Sequence, residues 1–282
     1  MDKYKNIVIL ILFCIPALGL FSQNTDTILI REYEQILIEL FNDMSKYNND
    51  VEREKLNNKI TKKFEQLLSI EGSFSYPFDS LRYIGKIFSK DKKLRIYTWN
   101  LPYINGTHKY FGFIQYYPPR EKSLLLYKLI DCSDDYESPE NLILTDTSWF
   151  GALYYEIIEK KYEGDTYYTL LGFDFNNLLT AKKIIEVLYF KDYKIPVFGK
   201  PVFNYRNKLC NRIIFEYSAK VSMSLKHNKD LNMIIFDHLS PSKPSYKGHF
   251  MYYGPDFSYD GLEFKDGIWH EIRDVDVRNP YY

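Results

Sequence analysis

Residues 152–188 read ALYYEIIEKKYEGDTYYTLLGFDFNNLLTAKKIIEVL, and the fold turns on how this stretch is divided. Two aromatic and β-branched runs, 152–161 and 166–173, flank Glu163-Gly164-Asp165, which is turn chemistry between antiparallel strands. Asp174, Asn176 and Asn177 mark a second turn, leading into the next element. Thr180 to Leu188 then carries Ala181, Ile184, Ile185 and Leu188 at helical spacing behind a Thr able to cap, which predicts one inserted helix. Outward from this stretch the same strand-and-turn pattern repeats. Runs 81–88 and 93–99 flank Lys90-Asp91-Lys92, and 109–117 ends at Pro118-Pro119. Runs 212–218, 221–227 and 231–237 follow, then 247–253, 258–264 and 268–272, the last two joined through Asp266-Gly267. The fold class expected is mainly β (α+β): an antiparallel meander over 80–282, built as a sandwich, barrel or propeller-like body.

The segment before it is helical. Ile30, Tyr33, Leu37, Leu40, Met44 and Tyr47 step by three and four, an amphipathic stripe that Asn48-Asn49-Asp50 breaks. Asn49 with Glu52 forms the sequence pattern of a capping box, after which Leu56, Ile60, Phe64 and Leu67 continue at helical spacing until Gly72. A helical hairpin over 23–72, docked on the sheet, is expected. Ahead of it, Lys3 and Lys5 precede an apolar run from Ile7 to Ile15 and a breaker with small residues from Pro16 to Ser22. This is the plan of a secretory signal peptide over 1–22, with Gln23 first in the mature chain. The apolar run is shorter than the ~20 residues that span a bilayer. Bulky Phe13 before Cys14 does not make a lipobox. A periplasmic or secreted protein with no transmembrane segment in its mature chain follows as the expectation.

Lys and Arg together number 37, as do Asp and Glu, so the chain is neutral. No basic excess exists to neutralise phosphates, which argues against nucleic acid as a partner and against attachment to anionic lipid by net charge. Cys132 and Cys210 lie outside any CxxC pair; they either bridge or stay separate thiols. The 27 Tyr and 20 Phe exceed what one core needs. Pairs such as Tyr116-Tyr117 and Tyr252-Tyr253 put one ring on each face of a strand. Tyr116, Tyr252, Tyr253 and Tyr259 are the candidate binding residues, for stacking on a glycan or filling a contact with an envelope protein.

GxSxG, HExxH, P-loop and GxGxxG patterns are absent, and His108, His227, His238, His249 and His270 lack ligand spacing. No cofactor and no metal site are expected. Asp237, His238, Asp256 and Asp260 are the candidate catalytic residues. The first two read as an orienting carboxylate and a base, although neighbours on a strand face opposite ways. The last two read as paired carboxylates for glycoside hydrolysis. Pro241, Pro244, Gly254-Pro255 and Gly261 around them favour turn structure instead.

The segments YEIIEKKYEGDTYYTLLGFDFNN, FGKPVF, RIIFEYS, IIFDHLSP and YGPDFSYDGLEF resemble a family of uncharacterised secreted proteins from Bacteroidota. The resemblance spans roughly Leu81 to Asn279, implies export, and brings no activity or site residue with it. The expected function is an exported binding or structural module of the cell envelope, without enzymatic activity. The alternative is a periplasmic hydrolase acting on glycans through the carboxylates of 237–260.

Overall fold

The computed structural model describes residues 17–119, 121 and 123–277, with side chains from 25 onward. Two helices, α1 (Ala17–Met44) and α2 (Asp50–Leu68), form the antiparallel hairpin. Asn49 has extended backbone, and its Oδ1 accepts the Glu52 N–H at 2.9 Å, capping α2 where the sequence places the cap. Four strands follow as one sheet in sequence order: β1 (Gly85–Phe88), β2 (Leu94–Pro102), β3 (His108–Tyr116) and β4 (Leu125–Ile130). The second sheet contains β5 (Leu144–Thr145), β6 (Leu153–Tyr162), β7 (Asp165–Asp174), β8 (Thr180–Lys191) and β9 (Ile195–Phe198), in the order β5-β9-β8-β7-β6. Into the third go β10 (Phe203–Tyr205), β11 (Lys208–Cys210), β13 (Leu225–Asn228), β14 (Met233–Pro241), β15 (Tyr253–Lys265) and β16 (Ile268–Ile272), with β12 (Arg212–Ser218) instead pairing β8. Strand pairing is antiparallel except between β10 and β16.

These elements stack as four layers: helices, first sheet, second sheet, third sheet. On β2, alternate residues serve different neighbours. Leu94 and Ile96 pack with Leu170, Ile184 and Phe198 of the second sheet, while Tyr97 and Trp99 pack with Leu37, Ile60 and Phe64 of the hairpin. Between the second and third sheets lies a further core of Leu171, Ile185, Ile213, Phe236, Leu262 and Trp269. The chain is therefore a layered sandwich, not a closed barrel or a propeller.

Polar groups fix the hairpin's position. Trp99 Nε1 donates to Asn57 Oδ1 at 2.8 Å, and Gln115 Nε2 donates at 2.9 Å to the Leu68 carbonyl, which the helix end leaves unpaired. Buried Arg95 donates to the carbonyls of Phe74 at 2.8 Å and Tyr76 at 2.6 Å, holding the link between α2 and the sheet.

Thr180 to Leu188 is strand, not helix, and the reason is burial on both faces. Ile184 and Leu188 face the core shared with the first sheet, whereas Ala181, Ile185 and Val187 face the core shared with the third. A strand between two cores loses the alternation that identifies strands, and its apolar residues fall at helical spacing by coincidence. One other expectation needs correction, and one open question closes. The 247–253 run forms no strand before Tyr253; single 3-10 turns occupy 244–246 and 250–252, where Pro244 and Gly248 override the aromatic pattern. Cys132 and Cys210 are separate free thiols, and burial raises the Cys210 thiol to about 11.

At the centre of the second sheet Glu186 is fully buried. Its Oε2 accepts Arg212 Nε at 2.8 Å and Nη2 at 2.6 Å, and its Oε1 accepts the Tyr154 hydroxyl. Tyr154 in turn accepts Trp149 Nε1 at 2.7 Å, while Arg212 Nη1 donates to the Pro139 carbonyl. Burial, and next the Glu186 charge, pushes the Tyr154 phenol far above its ordinary range, so it stays a donor.

Two predictions follow from this packing. Leu37 is fully buried while Leu40 is only half-buried, so Leu37→Ala should cost about 2–5 kcal/mol and Leu40→Ala clearly less, read from urea unfolding. Equal costs would mean that the stripe does not dock as described. Glu186→Gln or Arg212→Met should each lose about 3–5 kcal/mol by stranding a buried partner, with the double variant losing less than the sum. Additive losses would show that the two groups do not act as a pair.

Candidate functional site

β14 and β15 pair in register from Met233↔Glu263 to Asp237↔Tyr259, and pairing then resumes at Leu239↔Pro255. Between these two registers His238 faces residues 256–258 across a bulge. Phe257 takes φ 72°, the left-handed region, and stands almost wholly in solvent. The irregularity brings three of the four candidate catalytic residues together. His238 Nδ1 lies 2.7 Å from Asp260 Oδ2, and Nε2 lies 3.9 Å from Asp256 Oδ2. Asp237 is not among them: its Oδ2 accepts the Ser224 amide at 2.7 Å, tying β14 to the segment before β13.

The constellation has part of a nucleophilic hydrolase's geometry, a buried carboxylate orienting an imidazole whose far nitrogen is open to a partner. The remaining bonds are structural. Asp260 uses its other oxygen on the Asp274 amide at 3.2 Å, so neither oxygen is free for a sugar. Ser258 spends its hydroxyl proton on Asp256 Oδ1 at 2.7 Å, not on His238. Slight burial works against ionisation of Asp256, but the Ser258 hydroxyl and amide, then His238 and Ser240, outweigh it and hold the carboxyl below its ordinary 3.8. The arrangement pins the bulge through an imidazole set between two carboxylates.

The candidate tyrosines do not form a row. Tyr116 is only 4% exposed and stacks on Phe190, so it belongs to the core between the first and second sheets. Tyr253 is half-buried, with its hydroxyl accepting the Gly248 amide at 3.0 Å. Tyr259 is half-buried in the β15 pairing opposite Asp237. Tyr252 alone is exposed, stacked on Tyr246 with centroids 4.1 Å apart.

A different surface gathers exposed apolar groups. Three loops meet at one end of the second sheet. The 103–107 turn holds Ile104, 63% exposed, and the 175–180 loop holds Leu178 and Leu179, 73% and 55% exposed. The tip of the β14–β15 hairpin adds Phe250 and Met251. Leu178 lies against Gly106, so close that a Cβ there would come within 2.3 Å of Leu178 Cγ. Leu179, Phe250 and Met251 line one shallow groove with Asn177, Thr180, Glu216 and His249. Leu178 and Leu179, adjacent in sequence, thus link the 103–107 turn to the hairpin tip. Its signal in the sequence is Asn176-Asn177-Leu178-Leu179, two leucines placed in turn chemistry that ordinarily carries polar residues.

Among the described residues no three His, Cys, Asp or Glu are grouped to hold a metal. Comparison with family models, curated proteins and solved structures finds no match to this chain.

For the bulge, Asp260→Ala should cost about 1–3 kcal/mol, since it leaves the Asp274 amide and His238 without an acceptor. Asp256→Asn should cost less at neutral pH. A carboxyl with a depressed pKa adds stability above its unfolded value and loses it as pH falls through the folded one, which here lies below 3.8. The gap between parent and Asp256→Asn should therefore close in acid. Urea unfolding at neutral pH and well below pH 3.8 measures both, and a gap that widens in acid would contradict the assignment.

Proposed function

We propose that this chain is an exported binding module of the cell envelope that meets its partner through the three-loop rim. The observation that carries this reading is the convergence of Ile104, Leu178, Leu179, Phe250 and Met251, five large apolar side chains in solvent at neighbouring loops. A cluster of exposed apolar side chains on neighbouring loops marks an interaction site more often than scattered exposure does. Export is read from residues 1–22, where two lysines, an apolar run and a breaker with small residues follow the plan of a signal peptide. Residues 1–16 of the expected leader lie outside the described residues, and no described helix is long and apolar enough to cross a membrane.

A hydrolase is the second reading, favoured by the approach of His238 to Asp260 and Asp256. It is the weaker of the two, because both oxygens of Asp260 and the Ser258 hydroxyl are already engaged.

The test joins processing to binding. Mass measurement on the exported protein should place Gln23 first, without acylation. Leu178→Ser with Leu179→Ser should leave the melting temperature near the parent's and lower retention on isolated cell envelopes about tenfold, from two partly buried leucines. Unchanged retention would overturn the rim as the contact surface; loss of binding in His238→Ala alone would favour the bulge.

A further inference from the structure

The chemistry of the rim narrows what it touches. We propose that it docks on an anionic phospholipid surface, an inference that rests on the binding-module reading and names its partner.

Ile104, Leu178, Leu179 and Met251 are aliphatic, and the same loops add the exposed aromatics Phe175, Phe250 and Tyr252. Phe175 is stacked on His108 and Tyr252 on Tyr246, so the groups left to enter a partner are chiefly aliphatic, which hydrocarbon accepts without a geometric requirement. The groups also stand on loops around a shallow groove, not inside a deep cavity, which suits a planar partner.

Charge points the same way. Residues 239–255, the hairpin end from Leu239 to Pro255, carry Lys243 and Lys247 and no acidic side chain. The adjoining 218–224 turn adds Lys220, and its Val221 lies beside Gly254 at the base of the hairpin. The 103–107 and 175–181 loops carry no Asp, Glu, Lys or Arg. None of the ion pairs among the described residues engages Lys220, Lys243 or Lys247. Carboxylates flank the other two loops, and accepting a hydrogen bond does not remove their charge, so the cationic part of the rim is the hairpin end. Glu216 accepts the Thr180 hydroxyl at 2.7 Å, Asp50 accepts the Ile104 amide at 3.0 Å, and Glu54 accepts the Tyr103 hydroxyl at 2.8 Å. Lys243 Nζ stands over the Tyr246 ring at 5.9 Å, on the same hairpin end as Lys247. A chain of zero net charge thus sets lysines and apolar tips on one hairpin, the combination that interfacial anchors use.

The test uses the exported protein and vesicles of phosphatidylcholine, alone or with a minority of phosphatidylglycerol. Sedimentation should retain the parent on the mixed vesicles and not on phosphatidylcholine alone. Lys243→Glu with Lys247→Glu should weaken retention by about tenfold or more, high salt should weaken it similarly, and Leu178→Ser with Leu179→Ser should abolish it. Circular dichroism confirms that each variant folds. Trp99, Trp149 and Trp269 are buried and give a constant background, so in Leu179→Trp a blue shift on mixed vesicles reports insertion of the rim itself. Retention that ignores both loop variants overturns the proposal. Retention on whole envelopes without retention on either vesicle overturns the lipid partner and leaves the binding reading standing. Failure on both surfaces removes the two together.

Discussion

The fully buried pairing of Glu186 with Arg212 is the constraint around which the rest of the structure is arranged. β8 meets two partners along one edge: β12 beside Thr180 to Glu186, and β9 beside Leu188 to Lys191. Glu186 and Arg212 face each other in register where one partner gives way to the next. A charge at that depth is costly unless its lone pairs are filled, and Arg212, Tyr154 and Trp149 fill them in a chain. The Arg212 contact with the Pro139 carbonyl, with the Asn211 amide on Glu140 O at 2.9 Å, anchors the connection between the first two sheets to the same point. An apolar pair could supply stability there; it would not select one alignment of β8, β12 and that connection.

How much of this was legible in the sequence depended on how many neighbours an element has. The helical hairpin has one buried face, so its heptad and the Asn49 cap could be read directly. β2 and β3 were also recovered, although both their faces are largely covered, because flanking turns at Lys90-Asp91-Lys92 and Pro118-Pro119 bounded them. β8 lacked that help. Its start follows a run of asparagines and leucines, its apolar residues serve two cores, and Glu186 sits inside as if on a solvent face. Periodicity counts which residues are apolar; it does not register a buried carboxylate whose partner is 26 positions away.

The candidate site divides in the same manner. His238, Asp256 and Asp260 were identifiable as a local concentration of acid and base, and the structure brings them together. What the sequence did not show is the bulge, which turns His238 toward 256–260 and leaves Asp237 bonded to Ser224. Tyr116 was misplaced for the opposite reason. A tyrosine in a two-sided sheet has the same local sequence as one at a wet surface, and only the stacking sheet distinguishes them. The rim escaped because its members come from three loops far apart in sequence. Each looks like an ordinary isolated apolar residue until Leu178 is seen against Gly106, and Leu179 beside Phe250 and Met251 in one groove.

The two ends of β8 and β12 connect these observations. Ser218 pairs with Thr180 at the far end of the ladder from Arg212 and Glu186. The 175–180 loop enters β8 there, and the 218–224 turn leaves β12 there. Thr180 and Asn177 are tied down in turn, the first through Glu216 and the second by accepting the Leu179 amide at 2.8 Å. The apolar tips of the rim therefore stand on a strand pair locked at its other end by a buried charge network. Loops held this way lose little conformational freedom on meeting a partner, so more of the contact energy remains for binding. Net charge conceals this distribution, because residues 239–255 carry Lys243 and Lys247 without an acid, while Glu216, Asp50 and Glu54 stand at the other two loops. In the proposed contact it is this local distribution, with apolar tips and lysines on one hairpin, that would select a partner.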